Sequence, residues 1–284
     1  MFAFEALFVN IRPVATMKTS VYRTRDISGK RALITGASVG IGRACALLLA
    51  EQGCSLILVA RRREKLEETR HEIQKFIPNC SDIRVESCDI SRTEEVTMLV
   101  ERLQGIQIDI LVNNAGLALG VDSGDRISMT EIQVMINTNV VGLMALVNGI
   151  APQFRQRNAG DIVNISSVAA FDYYSGGAIY CATKAAVDAY SNCLRMDFVE
   201  TNIRVIGINP GLVSGTEFSL VRFKGDEEKS KAPYDGVDCL TSLDVADQVV
   251  YALTRPQNVQ IAQIRSYCNQ QAHAKYVLSR RGNS

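Results

Sequence analysis

Short apolar runs alternate with amphipathic stretches along the whole chain. Arg31 to Ile34, Ser55 to Val59, Ile83 to Ser87, Asp109 to Val112, Asp161 to Ile165 and Ile203 to Ile208 are brief, apolar and partly β-branched. That is the pattern of strands buried on both faces. Between them, Arg43 to Ala50, Glu64 to Phe76, Glu94 to Leu103, Met129 to Phe154, Ala178 to Glu200 and Asp244 to Leu253 carry helical spacing and charge. The alternation predicts an α/β fold: a doubly wound parallel sheet with right-handed crossovers and helices on both faces. A chain of 284 residues with 47% hydrophobic content can bury such a core as one domain, so we assign 27–284 to it and 1–26 to an N-terminal extension.

Two local patterns suggest chemistry. Thr35-Gly36-Ala37-Ser38-Val39-Gly40-Ile41-Gly42 follows the first strand and opens the first helix. Glycines let the backbone turn tightly and approach a pyrophosphate, while the amides and dipole of the helix N-terminus attract its charge. A Rossmann-like dinucleotide unit begins this way. Far downstream, Tyr180 and Lys184 stand four residues apart in a run that Ala182, Ala185 and Ala186 make helix-prone. The phenol and the ammonium then share one face, and the cation is expected to lower the phenol pKa toward neutrality. Such a phenol exchanges protons with a substrate.

Charge and cysteine usage narrow the function class. With 31 basic against 30 acidic residues the net charge is +1, which gives no reason to expect nucleic acid or an anionic membrane as partner. The eight cysteines form no C-x-x-C pair, which points to core thiols of a reducing compartment, the cytosol by default. Only His71 and His273 are present, and neither sits in a metal-ligand pattern, so no metal is expected. The first 25 residues hold Arg12, Lys18, Arg23 and Arg25 against the single acid Glu5. A basic, acid-poor leader of this kind would suit a mitochondrial transit peptide, and a flexible arm or an alternative start at Met17 fits as well.

Cofactor choice is read after the second strand. Where an NAD enzyme carries an acid for the adenosine ribose, this chain has Ala60 followed by Arg61, Arg62 and Arg63. Guanidinium groups suit a 2′-phosphate and a carboxylate would repel it, so NADP is expected. Three arginines also suit the start of a solvated helix.

These motifs, with Asn113-Asn114-Ala115-Gly116, Asn139, Ser167 after Asn164-Ile165-Ser166, and Pro210-Gly211, resemble the short-chain dehydrogenase/reductase family from about Ile27 to the C-terminal region. Leu56 to Arg62, Glu64-Lys65-Leu66, Gly211 to Val213 and Thr216 to Gly225 are most similar to its NADP-dependent 3-hydroxy acid dehydrogenase branch, which includes serine and allo-threonine 3-dehydrogenases. The resemblance implies that Tyr180 donates or accepts the proton, that Lys184 tunes it and holds the nicotinamide ribose, and that Ser167 orients the reacting oxygen. Ser166 is its rival by sequence. Asn139 would hold a water in a proton relay. Gly36, Ser38, Gly40, Ile41, Gly42, Arg61, Arg62, Asp89, Asn113, Gly116, Pro210, Gly211, Val213 and Thr216 would line the cofactor, with Asp89 at the adenine and Ser214 as an alternative to Thr216.

A lid is expected over about 214–236, and within it Arg222 or Lys224 is expected to attract the carboxylate of a small 3-hydroxy acid. A broad carbonyl reductase of neutral substrates and a non-catalytic NADP sensor are the alternatives. Helices 129–154 and 178–200 have apolar surface to spare, and similar proteins pair through them, so a homodimer or homotetramer is expected.

Overall fold

The computed structural model describes residues 23–279. Seven strands form one parallel sheet: β1 (Arg31–Thr35), β2 (Ser55–Ala60), β3 (Ile83–Ser87), β4 (Ile110–Asn113), β5 (Gly160–Ile165), β6 (Ile203–Pro210) and β7 (Gln263–Ser266). Their order across the sheet is β3-β2-β1-β4-β5-β6-β7. The order reverses between β1 and β4, the place where a parallel sheet opens a crevice at its carboxyl edge.

Alternation along each strand builds two cores, because neighbouring side chains point to opposite faces. Ile34, Leu58, Val112 and Ile206 meet α1 (Gly40–Glu51), α2 (Arg63–Phe76) and α9 (Ser242–Leu253) on one face. Leu33, Ile57, Leu111 and Val205 meet α3 (Thr93–Arg102), α5 (Gly142–Arg157) and α6 (Ala178–Asp197) on the other. Each such side chain removed from water contributes roughly 1.5–3 kcal/mol before chain entropy is set against it. Continuous apolar runs are what two-sided burial requires.

Several features differ from the sequence expectations. The stretch from Met129 is broken into α4 (Met129–Ile136), a π-helical turn (Asn137–Val141) and α5. A one-residue insertion into the turn does not disturb the apolar pattern, so periodicity passes over it. β7 was not expected: Gln263-Ile264-Arg265-Ser266 is a half-polar edge strand. The lid segment folds as α7 (Phe218–Arg222), α8 (Glu227–Lys231) and a 3₁₀ turn (Ala232–Tyr234). A C-terminal hairpin, β8 (Gln271–His273) with β9 (Tyr276–Val277), closes the chain.

The packed chain reaches back past the Ile27 boundary. The Arg25 amide donates to the Thr254 carbonyl at 2.7 Å, and the Arg25 guanidinium pairs with Asp161 at 2.9 Å. Asp161 is fully buried and also accepts from Arg204 Nε at 2.6 Å. Arg204 in turn donates to the carbonyls of Leu253, Arg255 and Val259, which ties the end of α9 to the sheet. The leader expectation for the remainder, residues 1–22, lies outside the described residues.

Candidate active site

At the carboxyl ends of β1, β4, β5 and β6 a cleft of about 680 Å³ runs from the glycine-rich turn to the lid. Gly36 and Gly40 take φ of +63° and +56°, backbone that side chains disfavour. Gly42 lies within the first turn of α1 and does not line the cleft. A Cβ there would meet the Gly36 carbonyl at 2.2 Å and Asn114 Nδ2 at 2.5 Å, so its role is to let α1 close on the turn. The result is a cradle of backbone at a helix N-terminus, suited to a pyrophosphate. Ser38, Ile41 and Gly116 line the same cleft.

Asn113 is placed elsewhere than expected. It is the last residue of β4, buried, with Nδ2 donating to Asn164 Oδ1 at 2.9 Å, and it does not line the cleft. Its neighbour Asn114 does, and Asn114 Nδ2 donates to the carbonyls of Thr35 and Gly36 at 2.9 and 3.3 Å. Asn114 therefore holds the glycine turn in shape. Adjacent asparagines at a strand end point to opposite faces, and the sequence alone does not say which faces the cleft.

Tyr180 and Lys184 lie one turn apart on α6, and both are buried and line the cleft. Ser167, the N-terminal cap of a short 3₁₀ turn after β5, hydrogen-bonds the Tyr180 hydroxyl. Ser166 also lines the cleft, but its hydroxyl donates to the Lys184 carbonyl at 3.2 Å. The electrostatics correct the expectation for the pair. Burial, more than any other influence, raises the Tyr180 phenol above its usual range, with Tyr174 adding to this; Ser167 and Arg222 oppose it. Lys184 Nζ donates to the Ile165 carbonyl at 3.0 Å and sits 5.8 Å from the Tyr180 ring centroid. The same burial pushes its ammonium down to about 8. Desolvation is the leading influence on both groups.

Asn139 sits in the π-helical turn, buried. Its amide is held on both sides: Nδ2 donates to the Leu117 carbonyl at 2.8 Å and to Thr183 Oγ1 at 3.0 Å, and Oδ1 accepts from Leu117 N at 2.8 Å. The side chain thus ties the π-helical turn and α6 to the strand-end loop.

At the adenosine end, Arg61, Arg62 and Asp89 line the cleft. Asp89 Oδ1 accepts from the Ser91 amide and hydroxyl at 3.0 and 2.7 Å. Arg62 forms a two-pronged ion pair with Glu217 of the lid, Nη1 to Oε1 at 3.2 Å and Nη2 to Oε2 at 2.7 Å. Pro210, Gly211, Val213 and Thr216 also line the cleft, and Thr216 packs within 3.1 Å of where a Gly40 side chain would begin. Ser214 does not; its amide and hydroxyl turn to the Leu240 carbonyl. The backbone cradle, Thr216 and a pair of arginines fit a phosphorylated dinucleotide.

At the other end, Phe218 of the lid stacks on Tyr180 with ring centroids 5.4 Å apart. Arg222 is buried, donating to the carbonyls of Gly120 and Gly176 at 3.1 and 2.9 Å and to the Tyr174 hydroxyl at 2.9 Å. Among the described residues no carboxylate pairs with it. Lys224 points away: exposed, outside the cleft lining, and paired with Glu131 at 2.7 Å. Of these two lid residues, Arg222 lines the cleft and Lys224 does not. Lys275, in the turn of the C-terminal hairpin, also lines the cleft. It was missed because nothing in its sequence surroundings points toward Tyr180.

A phenol within a hydrogen bond of a serine hydroxyl, a lysine one turn away and a dinucleotide cradle along the same cleft can transfer a proton while a hydride moves. A profile described as short chain dehydrogenase matches residues 30–226. The chain is 39% identical over 255 residues to the NADP-dependent 3-hydroxy acid dehydrogenase of Schizosaccharomyces pombe, covering 88% of this chain and 97% of that protein. It is 38% identical over 231 residues to a protein of the same description from Escherichia coli strain K12, covering 81% and 91%. The solved closed form of serine dehydrogenase complexed with NADP+ matches with a TM-score of 0.82 and 36% identity, over 88% of this chain and all (100%) of that one.

Proposed function

This chain belongs to the short-chain dehydrogenase family, and from that premise we propose that its substrate is a small 3-hydroxy acid of the serine, allo-threonine or 3-hydroxypropionate type. The protein is an NADP-dependent oxidoreductase acting on hydroxyl groups. NADP, when bound, supplies or takes up the hydride. Gly36, Gly40, Ile41 and Thr216 would hold its pyrophosphate region, and Arg61 and Arg62 its 2′-phosphate. In oxidation the Tyr180 oxygen removes the hydroxyl proton of the substrate; in reduction the same hydroxyl returns it. Ser167 steadies the reacting oxygen, and the Lys184 ammonium, one turn along α6 from Tyr180, favours the phenolate by its charge.

The observation that carries the acid reading is Arg222. Of its five N–H donors, the three hydrogen bonds to Gly120, Gly176 and Tyr174 leave one free on each terminal nitrogen, beside Tyr180. A carboxylate matches that fork and neutralises a buried cation. Apolar walls from Val121, Phe218 and Val221 favour the second reading, reduction of neutral ketones and aldehydes.

Kinetics of Arg222→Gln and Lys224→Ala on 3-hydroxypropionate and on a neutral diketone separate the two. Arg222→Gln is expected to lower kcat/KM on the acid by roughly 10- to 100-fold, the range of a charge-assisted hydrogen bond, and far less on the diketone. Lys224→Ala is expected to leave the ratio of the two unaltered. Equal losses on both substrates for Arg222→Gln would reject the acid reading.

A further inference from the structure

We propose that Lys275, carried by the C-terminal hairpin, is a specificity-determining residue that completes an anion clamp with Arg222 and makes the cleft select acids over zwitterions and neutral compounds. The inference rests on the acid reading above and adds a residue far from every motif of the family.

The hairpin is anchored over the cleft from two sides. Asp172, just after the Ser167 turn, accepts from the Tyr267 hydroxyl at 2.6 Å and from the Ala274 amide at 3.1 Å, fixing the residue before Lys275. Gln271 Oε1 accepts from the Leu212 amide at 2.8 Å and lies against Gly211, where a Cβ would meet it at 2.3 Å. These contacts dock β8 on the loop after β6. Lys275 Nζ then stands 5.0 Å from the Tyr174 ring centroid, and the Arg222 guanidinium carbon 5.5 Å from the same ring. One aromatic ring is flanked by two cations at the substrate end of one cavity.

Neither cation has an acidic partner among the described residues. Asp172 is engaged by the hairpin, and the acids lining the cavity, Asp89 and Glu217, lie at the adenosine end against Ser91 and Arg62. Lys275 is exposed at the rim of the cavity; partial desolvation there, followed by the charge of Arg222, lowers its ammonium below the usual lysine range, so the two groups already feel each other. Both cations line the same cavity and lack an acidic partner there, so an anion bound in that cavity is attracted by both. A 3-hydroxy carboxylate supplies that anion. An α-amino acid brings its own ammonium into the same space, so its gain from Lys275 largely cancels.

Steady-state kinetics of wild type, Lys275→Met, Lys275→Glu and Lys275→Arg on 3-hydroxypropionate, L-serine and a neutral diketone test this, with NADPH affinity measured by fluorescence as an independent check on folding. Lys275→Met is expected to raise KM for 3-hydroxypropionate about tenfold with kcat changed less than about threefold, and Lys275→Glu to raise it further. The KM for serine is expected to move less than about threefold, and Lys275→Arg to restore the wild-type pattern. Parallel rises on 3-hydroxypropionate and serine, or an unchanged acid-to-neutral ratio in the Met and Glu variants of an enzyme that prefers acids, would overturn the role of Lys275 alone. A wild type that prefers the diketone to both acids would overturn the acid reading itself.

Discussion

Lys184 shows how burial decides the behaviour of a catalytic pair. Its ammonium is held at about 8 by desolvation, against 10.5 for an exposed lysine. Between these values the folded protein carries the neutral amine while the unfolded chain still binds the proton, so unfolding takes up protons and stability rises with pH across that window. The gain is on the order of 3 kcal/mol from about pH 8 to 10.5. Urea denaturation of wild type and Lys184→Met at pH 8 and pH 10 is expected to show this slope in the wild type and its absence in the variant; identical slopes would show that Lys184 is not desolvated. The geometry of Tyr180, Lys184 and Ser167 was legible in the sequence because all three are positioned by one helix and one strand end. Their energetics were not, since burial is set by residues far away in the chain. The same limit hid Lys275 and confused Asn113 with Asn114, whose roles depend on which way each side chain turns at the end of β4.

At the level of elements, apolar runs identified six of the strands and the main helices with boundaries close to those observed, because a parallel sheet buried on both faces leaves little freedom in composition. What escaped was short or irregular: the edge strand β7, the lid helices and the π-helical turn that places Asn139 between Leu117 and Thr183. The junction of β1 and α1 offers a direct test. Gly42→Ala forces a methyl group onto the Gly36 carbonyl and Asn114, and backbone on one side leaves little room to yield. The variant is expected to lose about 1–3 kcal/mol of stability, as overpacking does, and to bind NADPH on the order of tenfold more weakly as the cradle opens. Thermal denaturation and NADPH fluorescence titration read the two effects; wild-type values in both would mean that α1 shifts at no cost.

On the scale of the whole molecule, the strand order brings together residues separated by most of the chain: the glycine turn near the start, Tyr180 in the middle and the hairpin at the end meet around one crevice. Parallel crossovers were foreseeable from the alternation of elements, but the placement of the C-terminal hairpin follows from Asp172, Gln271 and their partners, which no periodicity announces. Asp161 with Arg25 and Arg204 likewise ties three distant segments into one buried network. The bridge from Arg62 to Glu217 has a consequence of its own. Glu217 is a tethered mimic of the nucleotide's own phosphate, so the protein's own carboxylate competes with the cofactor for a single guanidinium, and every arriving NADP must evict this internal rival. A half-exposed pair of this kind contributes at most about 1 kcal/mol, which corresponds to a self-inhibition of about fivefold. Glu217→Gln is therefore expected to tighten NADPH by up to that factor while leaving the much weaker NADH unaffected. Equal tightening of both nucleotides, seen by isothermal titration, would mean that Glu217 restrains the lid without impersonating a ligand.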